Sequence, residues 1–183
     1  MKDGGKQPNW QGVIFGLISN IIWAVFFGIY AFNNPDKSTC WAQEGSKTPS
    51  PVALNQMVNV TESMTNFFTF AFIVMCASMA YSVFGAIAIA AKSTGLGSCA
   101  QLIGLLSCTG GIAIVIWGSI IRWGEPGRTC AGDFYEGEGK PEPYLWKTGK
   151  FMKIYLILLY IIWGLISCCC LCMCIGNCCA MYR

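Results

Sequence analysis

Long apolar runs separated by polar segments organise this chain, and its charges keep to the segments between them. Four runs, at about 13–32, 67–91, 100–121 and 152–175, contain no Asp, Glu, Lys or Arg apart from Lys153 at the edge of the last. Each run holds about 20 residues or more, which at 1.5 Å rise per residue reaches across a hydrocarbon core of about 30 Å. The pattern predicts an all-α integral membrane protein, with four membrane-crossing helices bundled in a single membrane domain, 1–183. The first run is too long for the apolar region of a signal peptide and has no convincing small-residue cleavage site after it. Phe32-Asn33-Asn34-Pro35 reads instead as a helix stop.

The connections are unequal. Segments 33–66 and 122–151 are long, while 92–99 (KSTGLGSC) is a tight, glycine-containing turn. Four crossings put the two long loops on one face and both termini on the other. Within the first loop, Ser50-Pro51 reads as an N-cap followed by proline at the first helical position. Ala53, Met57, Val60 and Met64 then recur at helical spacing, so the second helix is expected to begin well before its apolar run.

Small residues recur every four positions along the spans. Gly12, Gly16, Asn20, Ala24 and Gly28 line up on the first, Ser78, Ser82, Ala86 and Ala90 on the second, and Ser107 and Gly111 on the third beside Gly104 and Cys108. Such stripes let helix backbones approach closely, which is how helices gain contacts in a solvent as apolar as they are. Gly16, Asn20, Ala24, Gly28, Ser78, Ser82, Ala86, Ser107 and Gly111 are therefore the expected helix-packing positions, within one copy or between copies. Asn20 is the most polar group at membrane depth. An unsatisfied amide in hydrocarbon costs several kcal/mol, so it is expected to bond to another helix or to a preceding carbonyl.

Composition sharpens this picture. Of the 183 residues 55% are hydrophobic and 11% charged, against about 25% charged in soluble domains, so surplus apolar surface is expected to face lipid. A net charge of +3 is too small and dispersed for a nucleic-acid partner. Histidine is absent, which removes the commonest general base and the commonest metal ligand. No acid or base lies at the centre of a span, as proton relays and voltage sensors require. No nucleophile stands beside a base and no glycine run cradles phosphate, so no enzyme, cofactor or small-molecule substrate is expected. Glu125, Asp133, Glu136, Glu138 and Glu142 lack the spacing of a calcium-binding loop and read as solvated charges or partner contacts.

Sidedness is contested. The long loops carry Lys37, Lys47, Arg122, Arg128, Lys140, Lys147, Lys150 and Lys153, against Lys2, Lys6, Lys92 and Arg183 on the other face, which by charge alone puts the long loops inside. Three features argue the reverse. Asn59-Val60-Thr61 is a glycosylation sequon, with Asn59 the acceptor; Cys40 and Cys130 sit singly in the two long loops, where a disulfide joining them needs an oxidising compartment; and the remaining cysteines crowd a tail suited to a reducing one. With Lys and Arg at similar density on the two faces, the loops are placed outside and the termini in the cytoplasm, in a plasma membrane or endomembrane.

That tail holds Cys168, Cys169, Cys170, Cys172, Cys174, Cys178 and Cys179 at a membrane boundary. Thiols there are the usual acceptors of palmitate, which would tune the tail's position, since a spanning helix already anchors it. The alternatives are cysteines that merely finish the fourth helix as small apolar residues, and a metal knuckle, for which the run lacks the usual turn residues.

The layout of four spans, two loops on one face and juxtamembrane cysteines resembles the broad tetraspan group, which includes MARVEL-type proteins, claudins, tetraspanins and connexins. The Cys-Cys-Gly of tetraspanins, the first-loop motif of claudins and the three cysteines per loop of connexins are missing around Cys40-Trp41 and Cys130; MARVEL-like proteins fit best. The resemblance implies an organising role. The expected function is a non-enzymatic membrane protein that associates laterally with its own copies as a scaffold. One alternative is a pore subunit lined by Asn20, Ser78, Ser82, Ser107 and Thr109; the other is an accessory subunit of a larger membrane complex. The expected partners are lipid and further copies of the chain.

Overall fold

A computed structural model describes residues 10–33, 35–53, 56–91, 94–137 and 142–181, with side chains at all of these except 10, 12, 94 and 166–181. The protein is mostly helical. In chain order the elements are α1 (Trp10–Phe32), β1 (Trp41–Ala42), β2 (Val58–Asn59), α2 (Val60–Ala91), α3 (Thr94–Trp123), α4 (Glu125–Cys130) and α5 (Trp146–Met181). Four of them, α1, α2, α3 and α5, are long and apolar enough to cross a membrane.

The helices end where local chemistry ends them. Helix α1 closes at Phe32 with a last bond from the Asn33 amide to the Ile29 carbonyl, as the stop signal predicts. Pro35 follows and cannot continue the ladder. Helix α2 does not begin at Ser50-Pro51. The Ser50 backbone pairs with Trp41 instead (N···O 2.8 and 2.9 Å), and Gln56 has a positive φ of 71°, which interrupts any helix through this segment. Asn59 starts the helix: its Oδ1 accepts from the Glu62 amide and its Nδ2 donates to Glu62 Oε2, both at 3.1 Å. This reciprocal cap satisfies an orphan amide that Ser50 never could, because Ser50 is held in a bridge.

Helix α2 is the centre of the bundle, with α1 and α3 packed along it. Contacts to α3 are close because glycine makes them so. A Cβ at Gly110 would stand 2.7 Å from Val74 Cγ2, and one at Gly118 would stand 2.8 Å from Phe67 Cε2. Aromatic rings tie α5 to α1: Tyr30 and Phe151 stack at 4.2 Å, and Phe27 meets Tyr155 edge-on at 4.8 Å.

The core sits at one end. Phe27, Met64, Phe67, Phe68, Ile114, Met152 and Leu156 form one buried cluster with Cys40, Ala42, Cys130 and Leu145 of the connecting segments. At the other end Ile14, Phe15, Ile18, Leu102, Leu105 and Leu106 turn outward, and α5 from Ile161 to Leu165 is exposed throughout.

Candidate functional site

The two long connections close over the packed end of the bundle. Strands β1 and β2 pair antiparallel, with Trp41 opposite Asn59 and Ala42 opposite Val58. That pairing presents the Cys40 amide to Thr61 Oγ1 at 2.7 Å and the Val60 amide to the Cys40 carbonyl at 3.1 Å. On the other side, α3 is turned back by Gly124 to Gly127. A Cβ at Gly127 would lie 1.8 Å from the Ile121 carbonyl oxygen, so only glycine allows α4 to fold against the end of α3. Helix α4 thereby delivers Cys130 to Cys40, and the two form a disulfide across 90 residues of chain with both partners fully buried. Thr129 Oγ1 donates to the Ser46 carbonyl and the Gly45 amide to Glu125 Oε2, both at 2.7 Å.

A buried charge pair joins this closure to α5. Arg122, 1% exposed, places both terminal nitrogens 2.8 Å from the Asp133 carboxylate oxygens and donates through Nε to the Gly149 carbonyl at 3.0 Å. Gly149 reaches that position because its missing side chain lets α5 lie against Ala131, whose Cβ a methyl group there would meet at 2.4 Å. Burial by itself would raise the Asp133 pKa. The hydrogen bonds and charge of Arg122, aided by Lys153 and Arg128, outweigh it and hold the carboxyl below its ordinary value. Tyr144, desolvated and beside Tyr135, is shifted upward.

The start of α5 is capped from a distance. The two oxygens of Asp36, in the α1–β1 connection, accept from the amides of Lys147 and Thr148 at 3.0 and 2.9 Å. From this capped end, Lys147, Lys150 and Lys153 follow at three-residue spacing. They line a groove of about 510 Å³ with Arg122, Asp133 and Trp146. An adjoining hollow shares Asp133 and Lys153 and adds Arg128 and Trp123. The Lys153 ammonium lies 5.9 Å from the Trp123 ring centroid, and the Arg122 guanidinium 5.1 Å.

The residues singled out by sequence have mixed placements. Ala24 is buried, and a Cβ at Gly28 would stand 3.5 Å from the Phe72 ring. Gly16 and Gly111 face open space, with no atom within 4 Å of where a Cβ would stand. The close α2–α3 contacts use Gly104, where a Cβ would stand 2.9 Å from Tyr81 Cε2, together with Gly110 and Gly118, and not Gly111; Gly110, Ile114 and Gly118 recur at four-residue intervals. Ser78, Ser82 and Ala86 are half-buried, and Ser82 bonds to the Ser78 carbonyl of its own helix. Ser107 Oγ is buried without a hydrogen-bond partner among the described residues. Thr109 Oγ1 donates to Leu105 and Leu106 carbonyls. Asn20 is half-buried, and among the described residues its amide has no hydrogen-bond partner.

Asn59, the sequon acceptor, is the cap of α2, and Thr61 of the same triplet accepts from Cys40. Helix α5 continues through Cys168, Cys169, Cys170, Cys172, Cys174, Cys178 and Cys179, whose side chains lie outside the described residues. Asp133 is ion-paired and Glu125 hydrogen-bonded rather than simply solvated; Glu138 lies outside the described residues. Among the described residues, no three of His, Cys, Asp or Glu converge on a point where a metal could sit.

No protein-family model, curated protein or solved structure matches this chain.

Proposed function

We propose that this chain is a multi-pass membrane protein in which α1, α2, α3 and α5 cross the bilayer, and that copies of it associate side by side as a structural element rather than a catalyst. The disulfide-linked connections lie on one face, in an oxidising compartment, and both termini lie in the cytoplasm of a plasma-membrane or endomembrane protein. The tail cysteines there are candidates for S-palmitoylation, and Asn59 for glycosylation.

One observation carries the lateral reading. Asn20 lies in the middle of a span, half-buried and without a hydrogen-bond partner among the described residues, and Gly16 one turn earlier leaves an open notch beside it. An amide in hydrocarbon costs several kcal/mol when unpaired. A second helix seated in the notch would supply both the bond and close backbone packing. The serine and threonine hydroxyls that a pore would need are turned into carbonyls of their own helices at Ser82 and Thr109, which favours the scaffold over the pore.

The test is the mass of the assembly in mild detergent, with and without reductant. Multiples of the 20.0 kDa chain, lost on Asn20→Leu, are expected. A monomer, or one copy held by foreign chains, overturns self-association and leaves an accessory subunit.

A further inference from the structure

The groove at the start of α5 has no task in the scaffold reading. Four of its lining residues, Arg122, Lys147, Lys150 and Lys153, are cationic, and Asp133 is the one carboxylate among the described lining residues. That carboxylate is already spent, since both its oxygens are held by Arg122. Positive charge is therefore in surplus in the groove, and while the Lys147 ammonium donates to the Pro35 carbonyl at 3.3 Å, those of Lys150 and Lys153 are left to face it. Arg128, partly exposed and 3.9 Å from Asp133, extends the charge into the neighbouring hollow.

Position makes the charge specific. Arg122 and Trp123 close the span of α3, and Trp146 opens that of α5, so the groove lies where two apolar segments end together. Tryptophan at such a boundary is at home in the headgroup layer. An ion there meets headgroup phosphates at high local concentration, and each basic residue near an anionic surface contributes about a fivefold preference.

We infer that this groove binds the phosphate of an anionic phospholipid headgroup, with Lys150 and Lys153 as its ligands and Arg122 held in place behind them by Asp133. The inference rests on the membrane reading given above. Lysine suits the task as a mobile point charge that follows a phosphate, whereas Arg122 is locked into a fork.

The experiment uses the full chain. Flotation with phosphatidylcholine vesicles first tests insertion, and native mass spectrometry from neutral detergent then compares retained phosphatidylglycerol with retained phosphatidylcholine. Phosphatidylglycerol is expected to be favoured, with retention falling about fivefold for each of Lys150→Gln and Lys153→Gln and by about the product in the double variant. A Lys37→Gln/Lys47→Gln control, which removes the same charge elsewhere, is expected to leave retention unchanged; a disulfide mass check confirms that all variants fold alike. Equal retention of the two lipids, or undiminished retention in the double variant, overturns the headgroup site while leaving insertion intact. Displacement of the lipid by inorganic phosphate at equal concentration overturns it in favour of a soluble phosphate. Failure to float removes the membrane reading, and the inference with it.

Discussion

Arg122 and Asp133 meet fork to fork, both guanidinium nitrogens 2.8 Å from a carboxylate oxygen, with Arg122 1% exposed and Asp133 20% exposed. Removing one partner of such a pair leaves a buried charge uncompensated and costs about 3–5 kcal/mol. Asp133→Asn is therefore expected to lower the unfolding temperature in detergent, followed by tryptophan fluorescence. Arg122→Met/Asp133→Asn, which removes both charges, is expected to recover part of the loss. An Asp133→Asn protein as stable as the parent would show that the pair holds nothing together.

The same pair sets an acid limit. The Asp133 pKa is lowered in the folded state from its ordinary 3.8. The unfolded chain thus takes up the proton first, and the contribution of Asp133 is fully present above that value and lost as pH falls through the lower folded one. The Asp133 contribution is expected to be present in full and independent of pH around neutrality, and stability to drop below about pH 4, less steeply in Asp133→Asn. Identical acid curves for parent and variant would count against this assignment.

Cys40 and Cys130 close a loop of 90 residues. In a random coil a loop near this size is worth about 4–5 kcal/mol, but residual structure in the unfolded chain reduces that gain and α2 and α3 lie inside the loop, so a loss of about 2–4 kcal/mol is expected for Cys40→Ser/Cys130→Ser. Digestion without reductant should yield the two peptides joined. Free thiols at both positions in intact protein would contradict the bridge.

Glycines on α1 and α3 divide into two groups. Gly110→Val and Gly118→Val would drive side chains into Val74 and buried Phe67, and each is expected to cost about 1–3 kcal/mol of protomer stability. Gly16→Val meets nothing among the described residues and is expected to leave the unfolding temperature nearly unchanged while weakening self-association. Crosslinking yield and melting temperature measured together separate the two effects; parallel losses in Gly16→Val would undo the distinction.

Asp36 caps α5 through two amides across 111 and 112 residues of chain. Loss of an N-cap costs about 0.5–2 kcal/mol. Asp36→Ala is expected to show that loss, with hydrogen exchange accelerating at Lys147 and Thr148 before the middle of the helix. Unchanged exchange at those amides would mean that the cap carries no weight.

The four helices long and apolar enough to cross a membrane and the stop of α1 at Phe32 were legible in the chain because they depend on local quantities: run length, absence of charge, and proline. The pairing of Cys40 with Cys130 was legible for a different reason, since each is the lone cysteine of its loop. The start of α2 was not. Ser50 has the right neighbours for a cap, but its backbone is claimed by Trp41, and which of two capping signals wins depends on what pairs with the intervening strand.

By itself, the sequence determined how many helices are long and apolar enough to cross a membrane, and which two loop cysteines were candidates to meet. Tertiary structure alone decided which small residues carry the contacts. Gly110 and Gly111 are chemically identical, and only the rotation of α3 against α2 puts one under Val74 and the other in open space. It also decided that Asp133 would be an ion-pair partner rather than a solvated acid, because nothing local links it to Arg122. A charge pair depends on where two backbones bring their side chains in space, and Gly127 and Gly149 set that here by permitting approaches that any other residue would block.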